Sequence, residues 1–446
     1  MTGLRPLDAG FVELEDSDRH ISLGIGAVAI LSGPPPARAE FSALLAERVS
    51  GNARLRERIH RAPLDLATPV WEEDPGFDLA HHIRWVALPE PADDEALFEL
   101  IATEVAARLD RDHPLWQCVV VERLTQGRWA LLLKAHHSVV DGISGVNLLA
   151  DLCDPDGAGN IAEAAKPEAT NGSRGWIDWT RIALRLPFDM PRVALHTVRG
   201  LAPVAEALVS ATAQSSLIGA IGQQRRYTVT RASLAEIKEI GTVFGTTVND
   251  VVLTAVAGAY RALLLQRGEQ PTHDTLRMLV PVSIRSPDAL HVLDNRVTAM
   301  LSYLPVHLAD PVERLAVVHD RMNQHKGRGE TTAEGRLLAL AGWIPFATVA
   351  WTLRLVARLP QTSVTALATN VPGPRKPLSL AGRPVLELLP VLPIAMRLRS
   401  GIAILSYADH LTFGITGDYD TMPDLSVIAE GIDTEIRELL SAARNR

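Results

Sequence analysis

The chain has 446 residues, of which 47% are hydrophobic and 22% charged, and its net charge is −8 with a pI near 6.0. This length favours two domains of roughly 200 residues each over one compact core. The acidic balance excludes a broad basic field of the kind that displaces counterions from nucleic acid, so no nucleic-acid partner is expected.

Helical and strand patterns alternate from the N-terminus to residue 152. The spacing of apolar residues predicts helices over residues 7–15, 37–49, 93–109 and 142–152. Strands are predicted over residues 21–31, 83–88, 117–121 and 128–135. Gln126 and Gly127 form a turn signal between the last two strands, which predicts a hairpin.

A change of composition marks a linker after this first half. Residues 154–173 are rich in Gly, Ala, Asn and Pro, and residues 176–200 combine helical spacing with four arginines. The arginine-bearing segment is either a linker helix with a solvated face, which we favour, or a helix that lies on a membrane surface. The predicted division is a first domain over residues 1–173, a helical linker over 174–224 and a second domain over 225–446.

The second half again mixes the two kinds of element. Strands are predicted over residues 226–229, 276–282, 297–306, 364–369, 384–389, 401–407 and 411–417. Helices are predicted over residues 233–244, 248–265, 311–324, 333–359 with a break at Pro345, and 424–444. The two halves are thus of one structural class and are compatible with a shared topology.

One uncharged stretch bears on how the chain relates to a membrane. Residues 337–353 carry no charge, but this run of about 17 residues is at the short limit for a span, and Pro345 interrupts it. The run therefore predicts a buried or bilayer-touching helix pair rather than a transmembrane helix. The N-terminus lacks a signal-peptide pattern, and the only two cysteines, Cys118 and Cys153, indicate a reducing cytoplasm.

The strongest chemical signal is a pair of histidines directly after the strand at residues 128–135. His136 and His137 are followed, after three residues, by Asp141 and Gly142. Neighbouring side chains at a strand end point in opposite directions, so we expect one ring to face a reaction cleft and the other to pack inside. The ring that faces the cleft is the candidate general base, because a neutral imidazole is suited to that task at neutral pH.

Structural interpretations of this motif stay open. Spacing alone favours chemistry only weakly, since His81 and His82 form another histidine pair that lacks an Asp-Gly. Asp141 orients the base, locks the loop through an ion pair with an arginine, or caps the following helix, and a structural role as the cap is favoured. Gly142 leaves room for backbone or substrate. No metal site is predicted, because adjacent ligands are geometrically awkward and no Cys or His cluster completes a tetrahedron.

The motif at residues 136–142 resembles the active-site motif of coenzyme A-dependent acyltransferases of the chloramphenicol acetyltransferase and condensation-domain type. Other stretches resemble the bacterial wax ester synthase/diacylglycerol acyltransferase family, namely Pro114-Leu115-Trp116, Val248-Asn249-Asp250-Val251-Val252-Leu253, Pro281-Val282-Ser283-x-Arg285 and Asn370-Val371-Pro372-Gly373-Pro374. The opening Leu7-Asp8-x-x-Phe11, with Glu15, fits the same family. These matches run in family order from about residue 4 to about residue 425.

The resemblance implies an α/β fold with mixed sheets, in which two chloramphenicol-acetyltransferase-like domains are joined by a helical linker and enclose an active-site tunnel. It implies acyl transfer from acyl-CoA, as substrate and without a cofactor, to diacylglycerol or a long-chain alcohol. The acyl chains come from membrane, so a cytoplasmic protein in peripheral contact with the inner face of the membrane or with lipid droplets is expected. The alternatives are a same-fold acyltransferase acting on another lipid or polyketide hydroxyl, and a catalytically silent lipid-droplet binding protein.

The resemblance also transfers to individual positions. His137 matches the catalytic base, within a motif that includes His136 and Asp141. In the second domain, Asn249 and Asp250 match the stretch that reaches the site, and Asn249 is either an oxyanion donor or a helix N-cap. At the N-terminus, Glu15 matches an acid near the tunnel.

Overall fold

A computed structural model of the chain describes residues 2–62, 67–140, 142–154, 215–283, 297–327 and 361–446. The helices in these residues, numbered in chain order, are α1 (Pro6–Ser17), α2 (Arg38–Ser50), α3 (Asp94–Ala106), α4 (Gly142–Leu152), α5 (Leu234–Phe244), α6 (Val248–Gln266), α7 (Pro311–Gly327) and α8 (Leu425–Arg444). The strands are β1 (Thr2–Gly3), β2 (Gly24–Ser32), β3 (Glu57–His60), β4 (Val70–Glu73), β5 (Ile83–Val86), β6 (Trp116–Leu124), β7 (Arg128–His136), β8 (Arg225–Ser233), β9 (Arg277–Ser283), β10 (Val297–Tyr303), β11 (Ala366–Val371), β12 (Ser379–Leu380), β13 (Arg383–Val391), β14 (Ser400–Tyr407) and β15 (His410–Asp418).

Local signals in the sequence account for many of these boundaries. The side chain of Asp93 accepts a hydrogen bond from the Ala96 amide at the start of α3, and two acidic residues follow in the first turn, where the helix dipole favours them. Ser233 caps α5 in the same way, and α5 ends at Gly245, whose φ of 69° suits glycine. The predicted hairpin is confirmed, since Gln126 and Gly127 have φ angles of 63° and 66° between β6 and β7.

The first half of the chain (residues 2–154) is built on a six-stranded mixed sheet of order β12-β13-β2-β7-β6-β5. Strand β7 lies near its centre, paired antiparallel with β2 and β6, and eight of its nine residues are buried. Helix α3 covers one face through Leu97 and Ile101, and the opposite face packs on α1, α2 and α4. A separate three-stranded sheet of order β1-β4-β3 lies beside it. The carboxyl end of β7 is thus held inside a well-packed layer.

The second half (residues 215–446) is built on another six-stranded sheet, of order β10-β9-β11-β14-β15-β8. Helices α6 and α8 pack against each other and against this sheet through one large apolar core. Strands β8, β15, β14 and β11 repeat the arrangement of β2, β7, β6 and β5, with two antiparallel pairings followed by a parallel one. The two halves therefore share one topology.

One hairpin of the second half is exchanged into the first sheet. Strand β13 pairs antiparallel with β2 over residues 385–391, and β12 pairs with β13. The carboxylate of Asp154 accepts hydrogen bonds from the Ala381 and Gly382 amides and from the Ser379 hydroxyl at the hairpin turn. The sequence pattern placed this strand in a second domain over 225–446, and that part of the assignment is wrong, because β13 covers the open edge of β2 and adds Val385 and Leu388 to the first core.

Of the described helices, α6 has the length and apolar composition of a membrane span, and 72% of that stretch is buried inside the protein. All residues from Asp250 to Tyr260 are buried against the second sheet and α8. The burial is that of a core helix.

Several sequence predictions concern residues outside those that the structure describes. They are the arginine-bearing segment at 176–200, most of the linker predicted at 174–224, Arg285, the uncharged run at 337–353 and the side chain of Asp141.

Candidate active site

Hydrogen bonds from both neighbouring strands fix the two histidines at the end of β7. The His136 amide donates to the carbonyl of Leu115, and the His137 amide donates to the carbonyl of Leu23, each at 2.9 Å. Leu115 directly precedes β6 and belongs to the Pro-Leu-Trp stretch, so this stretch closes the ladder beside His136. The peptide groups of the two histidines are held on a rigid element, as a precise site requires.

The ring of His136 is buried, with 1% of its surface exposed, and its hydrogen bonds define its tautomer. The Ser138 amide donates to Nδ1 at 3.1 Å, and the Ser138 hydroxyl lies 2.7 Å from the same nitrogen. A backbone amide can only donate, so Nδ1 must accept, and the ring proton of the neutral imidazole lies on Nε2. Ser138 therefore engages Nδ1, while Nε2 faces a carboxylate beyond hydrogen-bond distance, and His136 packs inward as the alternation along the strand predicts.

Glu15 receives the Nε2 side of this ring. Its Oε2 lies 3.6 Å from Nε2 of His136 and 2.6 Å from the guanidinium of Arg111, and its Oε1 accepts a hydrogen bond of 2.9 Å from the Leu23 amide. Burial alone would raise the pKa of Glu15, but His136, Arg111 and the Leu23 amide outweigh it and lower the pKa to about 2. The buried carboxylate of Glu15 thus contacts the ring of His136 directly. It also holds Leu23, whose carbonyl accepts the hydrogen bond from the His137 amide.

The ring of His137 lies on the other side of the strand and is half-buried. Phe11 stacks on it, with ring centroids 4.2 Å apart and an interplanar angle of 28°. Phe11 and Glu15 are four residues apart on α1, so one face of this helix contacts both histidine rings.

A small apolar cluster beside this stack joins the two halves of the chain. It contains Ile21 and Leu23 from the first half and Ile221 and Ile394 from the second, with Phe11 packed against it. Apolar walls at a junction between domains are typical of small-molecule sites. His137 therefore lies beside a junction to which both halves contribute.

Helix α6 begins with the second-half motif Val248 to Leu253. Its N-cap is Thr247, whose hydroxyl accepts from the Asp250 amide at 3.2 Å, while the Asp250 carboxylate accepts from the Thr247 amide at 2.9 Å. The alternative in which Asn249 is the N-cap is therefore wrong. The side chain of Asn249 instead accepts a hydrogen bond from Nδ2 of Asn370 at 3.3 Å.

The carboxylate of Asp250 is engaged in this capping box through its hydrogen bond with the Thr247 amide. It is 2% exposed, and it also contacts Nδ1 of His319 at 2.8 Å. Its observed partners stabilise the start of α6, and a substrate contact for Asp250 stays a prediction.

The two motifs approach each other across the junction. Val371, next to Asn370 in β11, packs against the first core, which includes Val139 and Val140 of the histidine loop. Helix α4, which begins at Gly142, also contacts β11. The structure thus brings the end of the histidine motif and the strand bearing Asn370 to the same interface, while the side chain of Asp141 lies outside the described residues.

Some contacts around the histidines could not be read from the motifs alone. The stacking role of Phe11 and the contacts of Arg111 and Ser138 were not predicted. The four-residue spacing of Phe11 and Glu15 on a predicted helix was a usable signal, because such pairs share a face. The described part of the chain contains no group of three or more His, Cys, Asp or Glu side chains that could hold a metal ion.

Comparison with protein families agrees with this arrangement. Residues 4–252 match the model of the wax ester synthase/diacylglycerol acyltransferase catalytic domain, and residues 293–440 match that of its C-terminal domain. The chain belongs to the wax ester synthase/diacylglycerol acyltransferase family. It is thus an enzyme of the acyltransferase class.

Relatives of known sequence extend over the whole chain. The probable diacylglycerol O-acyltransferase tgs1 of Mycobacterium tuberculosis strain H37Rv is 43% identical over 451 residues, covering 100% of this chain and 97% of that protein. A putative diacylglycerol O-acyltransferase of the same strain is 36% identical over 444 residues, covering 99% of this chain and 91% of the relative.

Solved structures confirm the predicted fold. The wax ester synthase/diacylglycerol acyltransferase from Marinobacter aquaeolei VT8 matches with a TM-score of 0.72 and 26% identity, covering 100% of both chains. The first condensation domain of the CDA synthetase matches with a TM-score of 0.62 and 16% identity over 99% of this chain and 97% of that one, which shows the fold alone. The chain therefore has the mixed α/β, two-domain fold that the resemblance implied.

Proposed function

We propose that this chain transfers an acyl group from acyl-CoA to the free hydroxyl of diacylglycerol and so makes triacylglycerol. The observation that carries the proposal is the 43% identity to a probable diacylglycerol O-acyltransferase over the full chain. The half-buried His137 beside an apolar junction gives this chemistry a base next to a surface suited to acyl chains.

In the proposed step, the unprotonated ring of His137 removes the proton from the acceptor hydroxyl. The oxygen attacks the thioester carbonyl and forms a tetrahedral oxyanion. When this intermediate collapses, the carbon–sulfur bond breaks and the sulfur takes the proton from the imidazolium, so free CoA and the new ester leave together. General-base catalysis of this kind supplies about 10²–10⁴-fold in rate. The enzyme needs no covalent intermediate.

The oxyanion requires donors that are in place before charge develops. Asn249 presents a carboxamide at the second position of α6, where the helix dipole also favours negative charge. We assign Asn249 to this task. Loss of one such donor typically costs about 10²–10³-fold in kcat.

An acyl-transfer assay tests the reaction and its acceptor together. Purified enzyme is incubated with radiolabelled acyl-CoA and either diacylglycerol or hexadecanol, with the His137→Ala variant as control. Labelled triacylglycerol from the wild type, and far less from His137→Ala, is the expected result. Preferential labelling of hexadecanol would shift the proposal to wax ester synthesis, and no transfer to either acceptor would overturn it in favour of a different hydroxyl or a binding role.

We also propose that the enzyme works in the cytoplasm, bound peripherally to the inner face of the membrane or to lipid droplets. The support comes from sequence, namely the four arginines within residues 176–200 and the uncharged run at 337–353. Flotation with anionic liposomes tests this. Wild-type protein should float, and replacing the four arginines with glutamine should leave more protein in the dense fraction. Protein that stays in that fraction regardless would contradict membrane contact.

A further inference from the structure

The hydrogen bond between Asn370 and Asn249 joins two sequence motifs that lie about 120 residues apart. Nδ2 of Asn370 donates to Oδ1 of Asn249 at 3.3 Å, with a separation of 121 residues along the chain. Both side chains are half-buried. Among the residues that the structure describes, Asn370 is the hydrogen-bond partner shown for the Asn249 carboxamide.

Asn370 sits on an element that gives it a fixed direction. It is the second-last residue of β11, and its Cα is in register with Ile404 of the central strand β14. Ala366 and Ala368, four and two residues earlier, belong to the same core as α6, whereas Val371 packs against the first core. Alternation along the strand therefore turns Asn370 toward the start of α6.

The direction of this hydrogen bond decides which side of the Asn249 amide faces the junction. A carboxamide carries an acceptor oxygen on one side and an NH₂ donor on the other. With Asn370 donating to Oδ1, the NH₂ group of Asn249 faces away from Asn370. An oxygen pointing at a developing oxyanion would repel it, while the NH₂ group stabilises it.

We propose that Asn370 is a positioning residue, which holds Oδ1 of Asn249 and thereby turns the Asn249 NH₂ group toward the oxyanion. This inference rests on the proposed acyl transfer, in which Asn249 is the oxyanion donor. Asn370 itself does not touch the substrate. The strand motif from Asn370 to Pro374 would thus serve the reaction by orienting the carboxamide of Asn249.

The isosteric variant Asn370→Asp tests the proposal. Its carboxylate can only accept, so it would attract the NH₂ group of Asn249 and reverse the amide. We expect kcat to fall by about 10²–10³-fold, as for loss of an oxyanion donor, with KM for acyl-CoA little changed. Asn370→Ala removes the donor without adding a charge, and its kcat should fall less. Asn445→Asp, at the exposed end of α8, makes the same chemical change away from the junction and should keep wild-type rates.

A double-mutant cycle separates positioning from mere structural support. If Asn370 acts through Asn249, the double variant Asn249→Ala with Asn370→Asp should be no slower than Asn249→Ala alone. Multiplied losses in kcat, or a full-speed Asn370→Asp, would overturn the role of Asn370 while leaving that of Asn249 intact. A full-speed Asn249→Ala would instead overturn the oxyanion assignment in the proposed function. If Asn370→Asp does not fold, the same cycle is run with Asn370→Ala.

Discussion

The ends of β7 and β15 occupy equivalent places in the two sheets, yet they carry different chemistry. His136, the last residue of β7, is in register with Gly24, the first of β2, and Asp418, the last of β15, is in register with Arg225, the first of β8. The corresponding inward side chains, His136 and Asp418, are both buried, at 1% and 0% exposure. The next residues along the chain, His137 and Tyr419, are therefore also equivalent.

The second-half strand end is closed by its own side chains. The Asp418 carboxylate accepts hydrogen bonds from the amides of Gly222 at 2.6 Å and Thr421 at 3.1 Å, and the Arg225 guanidinium lies 3.8 Å away. Tyr419 is 42% exposed, and the guanidinium of Arg226 covers its ring at 4.1 Å. The side chains at this strand end are thus engaged in structural contacts with one another and with the adjacent backbone.

The first-half strand end differs because α1 lies over it. Phe11 covers the outward ring of His137, and Glu15 receives the inward ring of His136. Arg108 fixes the end of this helix by donating to the carbonyls of Glu15 and Ile21 at 2.5 and 2.9 Å. In both halves the sheet supplies the position, while within the described part of the chain the N-terminal helix α1 distinguishes the histidine site from its structural counterpart.

The largest expected effect comes from replacing the two equivalent outward residues. His137→Ala should lower kcat by about 10²–10⁴-fold, because the general base is lost, with an unchanged thermal midpoint. The matched change Tyr419→Ala should keep the wild-type kcat. Steady-state rates with labelled acyl-CoA measure both, and equal losses would remove the distinction between the strand ends.

Replacing the inward residue of the second half should affect stability instead of catalysis. Asp418→Ala leaves Arg225 without its buried partner, and such losses cost about 3–5 kcal/mol in the free energy of unfolding. Denaturant titration measures this cost, and the kcat of the folded fraction should match the wild type. A large fall in that kcat would show that this strand end also serves the reaction.

Glu15→Gln tests the charged support of the histidine site through its pH dependence. The pKa of Glu15 is lowered from 4.5 to about 2, so ionisation stabilises the fold above pH 4.5 and ceases to do so as the pH falls to about 2. This shift corresponds to about 3 kcal/mol. The wild type should be more stable than Glu15→Gln at pH 7, and the difference should narrow across that acidic range. A difference that does not vary with pH would show that the charge itself is not used.

The smallest expected effect comes from the stacked ring on α1. Phe11→Leu should lower kcat by roughly 2- to 10-fold, because an aromatic stack is worth about 0.5–1.5 kcal/mol. The control is Phe98→Leu, since Phe98 meets Tyr227 edge-on at 5.8 Å in another core. The control should keep its kcat, and an equal loss in both variants would make Phe11 a packing residue only.

Local features of this fold could be predicted from the sequence, and distant pairings could not. The hairpin at Gln126 and Gly127 follows from residues that are adjacent in the chain. The strand at β13 was recognised, but its place in the first sheet depends on pairing with β2, more than 350 residues earlier, for example Val385 with Leu31. Alternation within a strand does not identify its partner strand.

The candidate site shows the same limit. Sequence motifs indicated His137, Asn249 and Glu15, but the contact of Glu15 with Arg111 depends on tertiary packing across 96 residues. The N-cap of α6 could have been predicted locally but was missed. Thr247 lies three residues before Asp250, and that spacing is typical of a capping box.

Chemical rescue tests most directly whether His137 is the base. Imidazole is added to purified His137→Ala and His136→Ala during transfer of labelled acyl groups to diacylglycerol. If His137 is the base, imidazole restores triacylglycerol synthesis, in a concentration-dependent way, to His137→Ala but not to His136→Ala. Rescue of His136→Ala alone, or near-normal activity of His137→Ala without imidazole, would contradict it.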